Sequence, residues 1–151
     1  MGSHYYARLM VRESDVGPDL RARIEGQGDW DVWTDGRGER LIVVEDGEAW
    51  NGEFAELEAE LVKRGVAFDR YTDGYGSFQP RERRFRPARD GWPAVDVEVV
   101  LTMDGEPFVV LEKLRELLRL EDPGTLRVRL AELIERAEPV PPLDGEDSGA
   151  G

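Results

Sequence analysis

Eleven residues between Asp29 and Val62 are carboxylates: Asp29, Asp31, Asp35, Glu39, Glu45, Asp46, Glu48, Glu53, Glu56, Glu58 and Glu60. Only Arg37 and Arg40 oppose them, so the stretch carries −9 of a chain total of −13. Carboxylates at this density can do two kinds of chemistry. They can bind cations, metal or protein, or they can imitate a run of phosphates. Glu53, Glu56 and Glu60 recur at helical spacing, which places neighbours about 5–6 Å apart on one helix face. Phosphates along a DNA strand are spaced on the order of 6–7 Å. A carboxylate row of this kind suits the basic groove of an enzyme that handles nucleic acid.

The opposite charge is gathered in Arg81, Arg83, Arg84, Arg86 and Arg89, with Phe78 and Phe85 interleaved. Arginine beside aromatics suits phosphates and stacked bases. The strongly negative molecule argues against direct nucleic-acid binding, and the segment reads better as an answer to the chain's own acids or as protection for a sheet edge. The Asp29–Gly36 run alternates acids before a glycine, but its spacing does not match a calcium loop, and an Asp-Gly turn explains it. Trp30, Trp33, Trp50 and Trp92 read as core or rim residues, two of them as contact anchors. Ser77, between Gly76 and Phe78, has no histidine to activate it and no phosphate-loop glycine pattern around it.

Composition removes further chemistry. The chain has no cysteine, which excludes disulfides and thiolate-held metals. Its one histidine, His4, lies in Met1-Gly2-Ser3-His4, a stretch that reads as an expression-vector scar. Histidine-based catalysis and histidine-ligated metals are therefore not expected, and no cofactor is. A magnesium-dependent carboxylate enzyme stays open as a class, with no pair singled out. The absence of a signal-like start or a long apolar run points to a cytoplasmic protein that does not enter a membrane.

These residues must be positioned by a fold of about 150 residues, a common size for one domain. Tyr5–Val11, Asp31–Thr34, Arg40–Val44 and Val66–Thr72 read as strands. A short helix from Pro18 ends at Gly26, and a second runs from about Gly52, capped by Asn51, to Arg64 with Gly65 as its left-handed stop. Asp46-Gly47 is expected to break the third strand. The resulting order, βαββαβ, predicts an α+β fold with a ferredoxin-like antiparallel sheet. Val95–Leu101 and Pro107–Val110 predict a C-terminal β-hairpin turning at Asp104-Gly105. Two leucine-striped segments, from Leu111 to Leu120 and from Asp122 to Ala137, predict a helical hairpin that covers the sheet or lets two copies associate. The expected organisation is a scar at 1–4, one domain at 5–138 and a disordered tail at 139–151. The run Gly52–Glu58 through Phe68–Tyr71 is similar in composition to small acidic accessory proteins of mobile elements, a likeness that implies no particular activity.

The expectation that follows is an acidic, non-enzymatic binding protein whose partner offers a basic protein surface. Its best-motivated form is a nucleic-acid mimic that inhibits a host-defence enzyme acting on DNA or RNA. Glu45, Asp46, Glu48, Glu53, Glu56 and Glu60 are the expected contacts. The alternative is a dimeric, ferredoxin-like regulatory or small-ligand module, with Tyr71, Tyr75, Arg83 and Phe85 lining its pocket.

Overall fold

A computed structural model of the chain describes residues 3–74 and 78–144. Six strands and four α-helices follow in the order β1 (His4–Arg12), α1 (Pro18–Glu25), β2 (Asp29–Thr34), β3 (Arg40–Trp50), α2 (Ala55–Arg64), β4 (Phe68–Thr72), β5 (Arg81–Arg86), β6 (Val95–Val100), α3 (Leu111–Leu118) and α4 (Pro123–Ala137). The strands form one antiparallel sheet in the order β2-β3-β1-β4-β5-β6. None of the helices among the described residues is long and apolar enough to cross a membrane.

Strand alternation divides the sheet into two faces. On one, Ala7, Leu9 and Val11 of β1, Ile42 and Val44 of β3, and Phe68 and Phe85 pack under Leu20 and Ile24 of α1 and Leu57 and Leu61 of α2. This is the main core. On the other face, Met10, Leu41, Val43 and Ala67 form a smaller apolar cluster with the half-buried Trp33. Two glycines set the connections. A side chain on Gly28 would strike the Glu45 carbonyl, and one on Gly52, which has φ +68°, would strike the Thr72 methyl. Glycine's missing Cβ lets β2 begin against β3 and lets the Asn51-Gly52 turn close on β4.

Four local expectations are corrected. Asp46-Gly47 does not end β3, which runs on to Trp50 past a register shift opposite Tyr5 and Ala7. Asn51 does not cap α2: it takes φ 55° in the turn, and the helix begins after Phe54, whose N–H donates to the Glu58 carboxylate at 2.7 Å. The C-terminal β-hairpin does not form as expected. Beyond the turn only Pro107 bridges to Leu101, and β6 takes its whole ladder from β5. Proline supplies no N–H to a ladder, whereas β5 offers an arginine opposite each β6 carboxylate neighbourhood, as in Arg83–Asp96 and Arg81–Glu98.

The tail is the fourth correction. Pro139–Asp144, expected to be disordered, crosses the second face of the sheet. Arg84 donates to the Val140 carbonyl at 2.7 Å and Arg86 to the Pro141 carbonyl at 2.9 Å. Asp69 accepts the Leu143 N–H at 2.7 Å, and the Leu143 side chain, 1% exposed, fills the apolar cluster. One leucine and three polar anchors, two of them buried, outweigh the low apolar content of the segment. The remainder of the expected tail, 145–151, lies outside the described residues, as do Met1 and Gly2 of the expected scar. Ser3 and His4 of that scar belong to the fold, with His4 opposite Trp50 in the β1–β3 ladder. Replacing Leu143 by alanine should cost about 2–5 kcal/mol, as for other buried leucines. A denaturant midpoint unchanged in Leu143→Ala would show that the segment does not pack.

Candidate functional site

The predicted acidic row does not survive as one surface. Glu58, counted among the acids, is 1% exposed and belongs to the core. Its carboxylate accepts from Arg70 Nε at 3.1 Å and Arg83 Nη1 at 3.2 Å, besides the Phe54 N–H. Arg70 goes on to Thr72 Oγ1, which donates to the Gly52 carbonyl. Arg83 holds Asp96 with two hydrogen bonds of 2.9 and 2.8 Å, which keep the Asp96 carboxyl below its ordinary pKa. Helix α2 is thereby bonded to β4, β5 and β6.

Of the remaining α2 acids, Glu60 accepts from Arg64 at 2.7 Å and lies 3.7 Å from Arg23. The Arg64 bond is the main reason its carboxyl sits below the usual range. Glu53 lies 3.8 Å from Arg70. Only Glu56 of the predicted α2 row has no cationic partner among the described residues. Asp35 caps its own turn through the N–H groups of Arg37 and Glu39, as an Asp-Gly turn requires and a calcium loop does not. Glu39 is paired with Arg12.

A different set of acids is left uncompensated. Asp29 stands directly opposite Glu45 in the β2–β3 ladder, with Asp31 two residues along and on the same face. Glu45 also faces Arg8 across β1–β3, but the Arg8 guanidinium is turned over two rings, 5.4 Å from Trp33 and 5.2 Å from Tyr71. Asp46 and Glu48 follow along β3, where Asp46 projects to the helix-covered face opposite Ala7 and accepts the Glu48 N–H. Among the described residues none of these five carboxylates has an ion-pair partner. Of the predicted contacts, Glu45 falls beside Asp29 and Asp31, whereas Asp46, opposite the core residue Ala7, stands on the other face of β3. Glu53, Glu56 and Glu60 lie on or beside the helix that covers the opposite face.

Beside this cluster the second face carries aromatics. Tyr6 meets Tyr71 edge to face at 6.2 Å, and with Arg8, Asp73, Met103 and Asp104 they line a shallow hollow of about 490 Å³. The Tyr71 hydroxyl donates to Asp73 at 3.0 Å. Burial, reinforced by that carboxylate, raises its pKa to about 12. Burial and then Glu45 raise Tyr6 as well. Arg8 was not singled out in the sequence; the signal was its place between Tyr6 and Met10 on alternate positions of β1. The alternative ligand set is divided. Tyr71 is on this face, Arg83 and Phe85 are on the other, Phe85 is core against Phe68, and Tyr75 and Ser77 lie outside the described residues.

The arginine segment proves to be strand β5, each of whose arginines is answered by an acid. Arg84 pairs with Glu82 and Glu138, and Arg86 with Asp69. Burial raises the Asp69 and Glu82 carboxyls above their ordinary range despite these cations. Arg89 falls outside the strand, beside the exposed Trp92. No group of three or more acids or histidines among the described residues is arranged to hold a metal ion.

No protein-family model matches the chain, and no curated protein or solved structure matches it.

Two expectations follow from this geometry. Glu58→Ala leaves Arg70 charged and buried, so the variant should lose about 3–5 kcal/mol, read from denaturant unfolding. A loss below about 1 kcal/mol, the value of an exposed pair, would mean the carboxylate is solvated. Tyr71 should ionise near pH 12, visible as a late phenolate absorbance step that Tyr71→Phe removes. Because its folded pKa lies above the unfolded value, its stabilising contribution is complete below about pH 10 and disappears as pH rises through about 12. An identical phenolate titration in the variant contradicts the assignment.

Proposed function

We propose that this protein acts by binding, without catalysis, and that its contact surface is the carboxylate cluster Asp29, Asp31 and Glu45, with Glu48 beyond it on β3. The observation carrying this reading is the ladder pair Asp29–Glu45, exposed at Asp29 and half-buried at Glu45, with Asp31 beside it. Like charges directly opposite destabilise a sheet, and no arginine is spent on relieving these. Glu58, Glu60 and Glu39, by contrast, all have cations. A chain with twenty basic residues that leaves this site bare keeps it ready for an external cation.

The partner class is a basic protein surface. Residues two apart on a strand are separated by about 6.6–6.8 Å, close to the spacing of phosphates on one DNA strand, so Asp29 and Asp31 suit a groove built for nucleic acid. A nucleic-acid mimic that blocks a DNA- or RNA-handling enzyme of host defence is the version this supports best. Trp50, 57% exposed just beyond Glu48, supplies an apolar anchor beside the charges, while Trp30, 47% exposed, lies under Arg21 on the helix side.

A second reading has its own observation. The strand order β2-β3-β1-β4, with α1 and α2 on one face, supports a ferredoxin-like unit extended by β5 and β6. On this reading the open face carries a ligand site at Arg8, held between Trp33 and Tyr71, in place of the set Tyr71, Tyr75, Arg83 and Phe85.

Affinity capture from the source lysate, with Asp29→Lys/Asp31→Lys/Glu45→Lys beside the wild type, separates the two. The binding reading expects a basic nucleic-acid enzyme retained by the wild type at low salt and lost at least a hundredfold in the variant. Retention of the same proteins by both chains defeats it. A melting temperature raised by a single nucleotide or metabolite, and abolished in Arg8→Ala, favours the ligand module.

A further inference from the structure

The helical hairpin is the part of the molecule whose packing is unfinished. Helices α1 and α2 bury their leucines under the sheet, but α3 and α4 bury none of their residues. Leu117, Leu126 and Leu133 are half-buried along the seam between the two helices. Leu111, Leu114, Leu118, Leu130 and Ile134 remain exposed, Leu118 at 80%. A sheet-covering role, one of the two expected from the leucine spacing, is therefore corrected. Contiguous apolar surface of this kind on a folded protein marks an interface.

The charges say what covers it. From Leu111 to Glu138 there are six basic and seven acidic residues, a net charge of −1, while the rest of the chain carries −12. Lys113–Glu116, Arg115–Glu112 and Arg129–Glu132 pair within each helix. Arg119, Arg127 and Arg136 on one side, and Glu121 and Glu135 on the other, have no ion-pair partner among the described residues. A strongly basic or acidic partner would leave half of these unanswered. A surface with both signs in near-equal number is complementary to its own copy turned by a two-fold axis. The near-neutral hairpin also lets two molecules of charge −13 approach with little like-charge opposition at the contact itself.

We propose that the α3–α4 hairpin packs against the same hairpin of a second copy of this chain, leucine face to leucine face, as a four-helix arrangement. The apolar contacts drive association and the net charge of each molecule opposes it. Salt screens the repulsion and leaves the apolar term intact, so the dimer tightens as salt is added. Engagement of a basic partner by the acidic cluster moves the opposite way, so the two can fail separately.

Sedimentation equilibrium of the full chain, over a hundredfold range of concentration at low and high salt, tests this. The expected result is a monomer–dimer equilibrium reaching twice 17.1 kDa, several-fold tighter at high salt. Leu114→Glu/Leu118→Glu should be monomeric throughout, with its circular dichroism retained. Leu118→Gln alone, at a site too exposed to affect folding, should weaken the dimer at least tenfold. A monomer at every concentration, a dimer indifferent to both variants, or one that weakens with salt overturns the proposal.

Discussion

The structure turns on one buried carboxylate. Glu58 lies beneath α2 in an otherwise apolar layer, and an ion taken out of water costs several kcal/mol unless nearly every lone pair is met. Here they are met by the Phe54 N–H, Arg70 and Arg83. Those three partners belong to the start of the helix, the fourth strand and the fifth. Satisfying one side chain therefore fixes the helix's height and rotation over the sheet. Arg83 passes the constraint outward to Asp96 on the sixth strand, and Arg70 passes it to Thr72 and the Gly52 turn.

The same requirement explains how an arginine-rich segment can be an interior strand. On the helix side Arg83 has Glu58 and Asp96. On the other side Arg84 and Arg86 have Glu82, Glu138, Asp69 and two carbonyls of the C-terminal strap. A good part of the acidic excess is thus structural, spent on the four arginines of β5 and on surface arginines. Asp29, Asp31 and Glu45 are among the acids that no arginine answers, and they are set together across two paired strands, with Glu48 beyond them. That contrast within a single molecule gives the cluster its meaning, more than the net charge does.

Much of the architecture could be read from the residues. The alternation of β1, the hairpin at Asp35–Gly38, the stripe of Phe54, Leu57 and Leu61 and the left-handed stop at Gly65 all signal through apolar periodicity or backbone need, and each was placed. Strand β5 was missed because its alternation is charge against charge, with Phe85 the only apolar marker, and periodicity rules see nothing in arginines. Glu58 was misplaced for a related reason. Its position between Leu57 and Leu61 is ambiguous on a helical wheel, and its burial depends on Arg70 and Arg83, which are distant in sequence. The Leu143 anchor is illegible for the same cause, a single apolar residue rewarded only by a slot made elsewhere. Of the candidate site, Glu45 and Glu48 were visible in the sequence, whereas the strand's alternation sends Asp46 to the other face. Their companions Asp29 and Asp31 were visible as acids, but their place opposite Glu45 depends on strand pairing.

The strap has a consequence for how the molecule is born. Asp69 and the Leu143 amide it accepts are separated by seventy-four residues. All the strands are on the page of synthesis before the piece that closes their second face. At translation rates of about 5–20 residues per second, the interval between the emergence of β4 and that of Leu143 is roughly 4–14 s. Throughout it Met10, Leu41, Val43 and Ala67 lack the leucine that later packs against them.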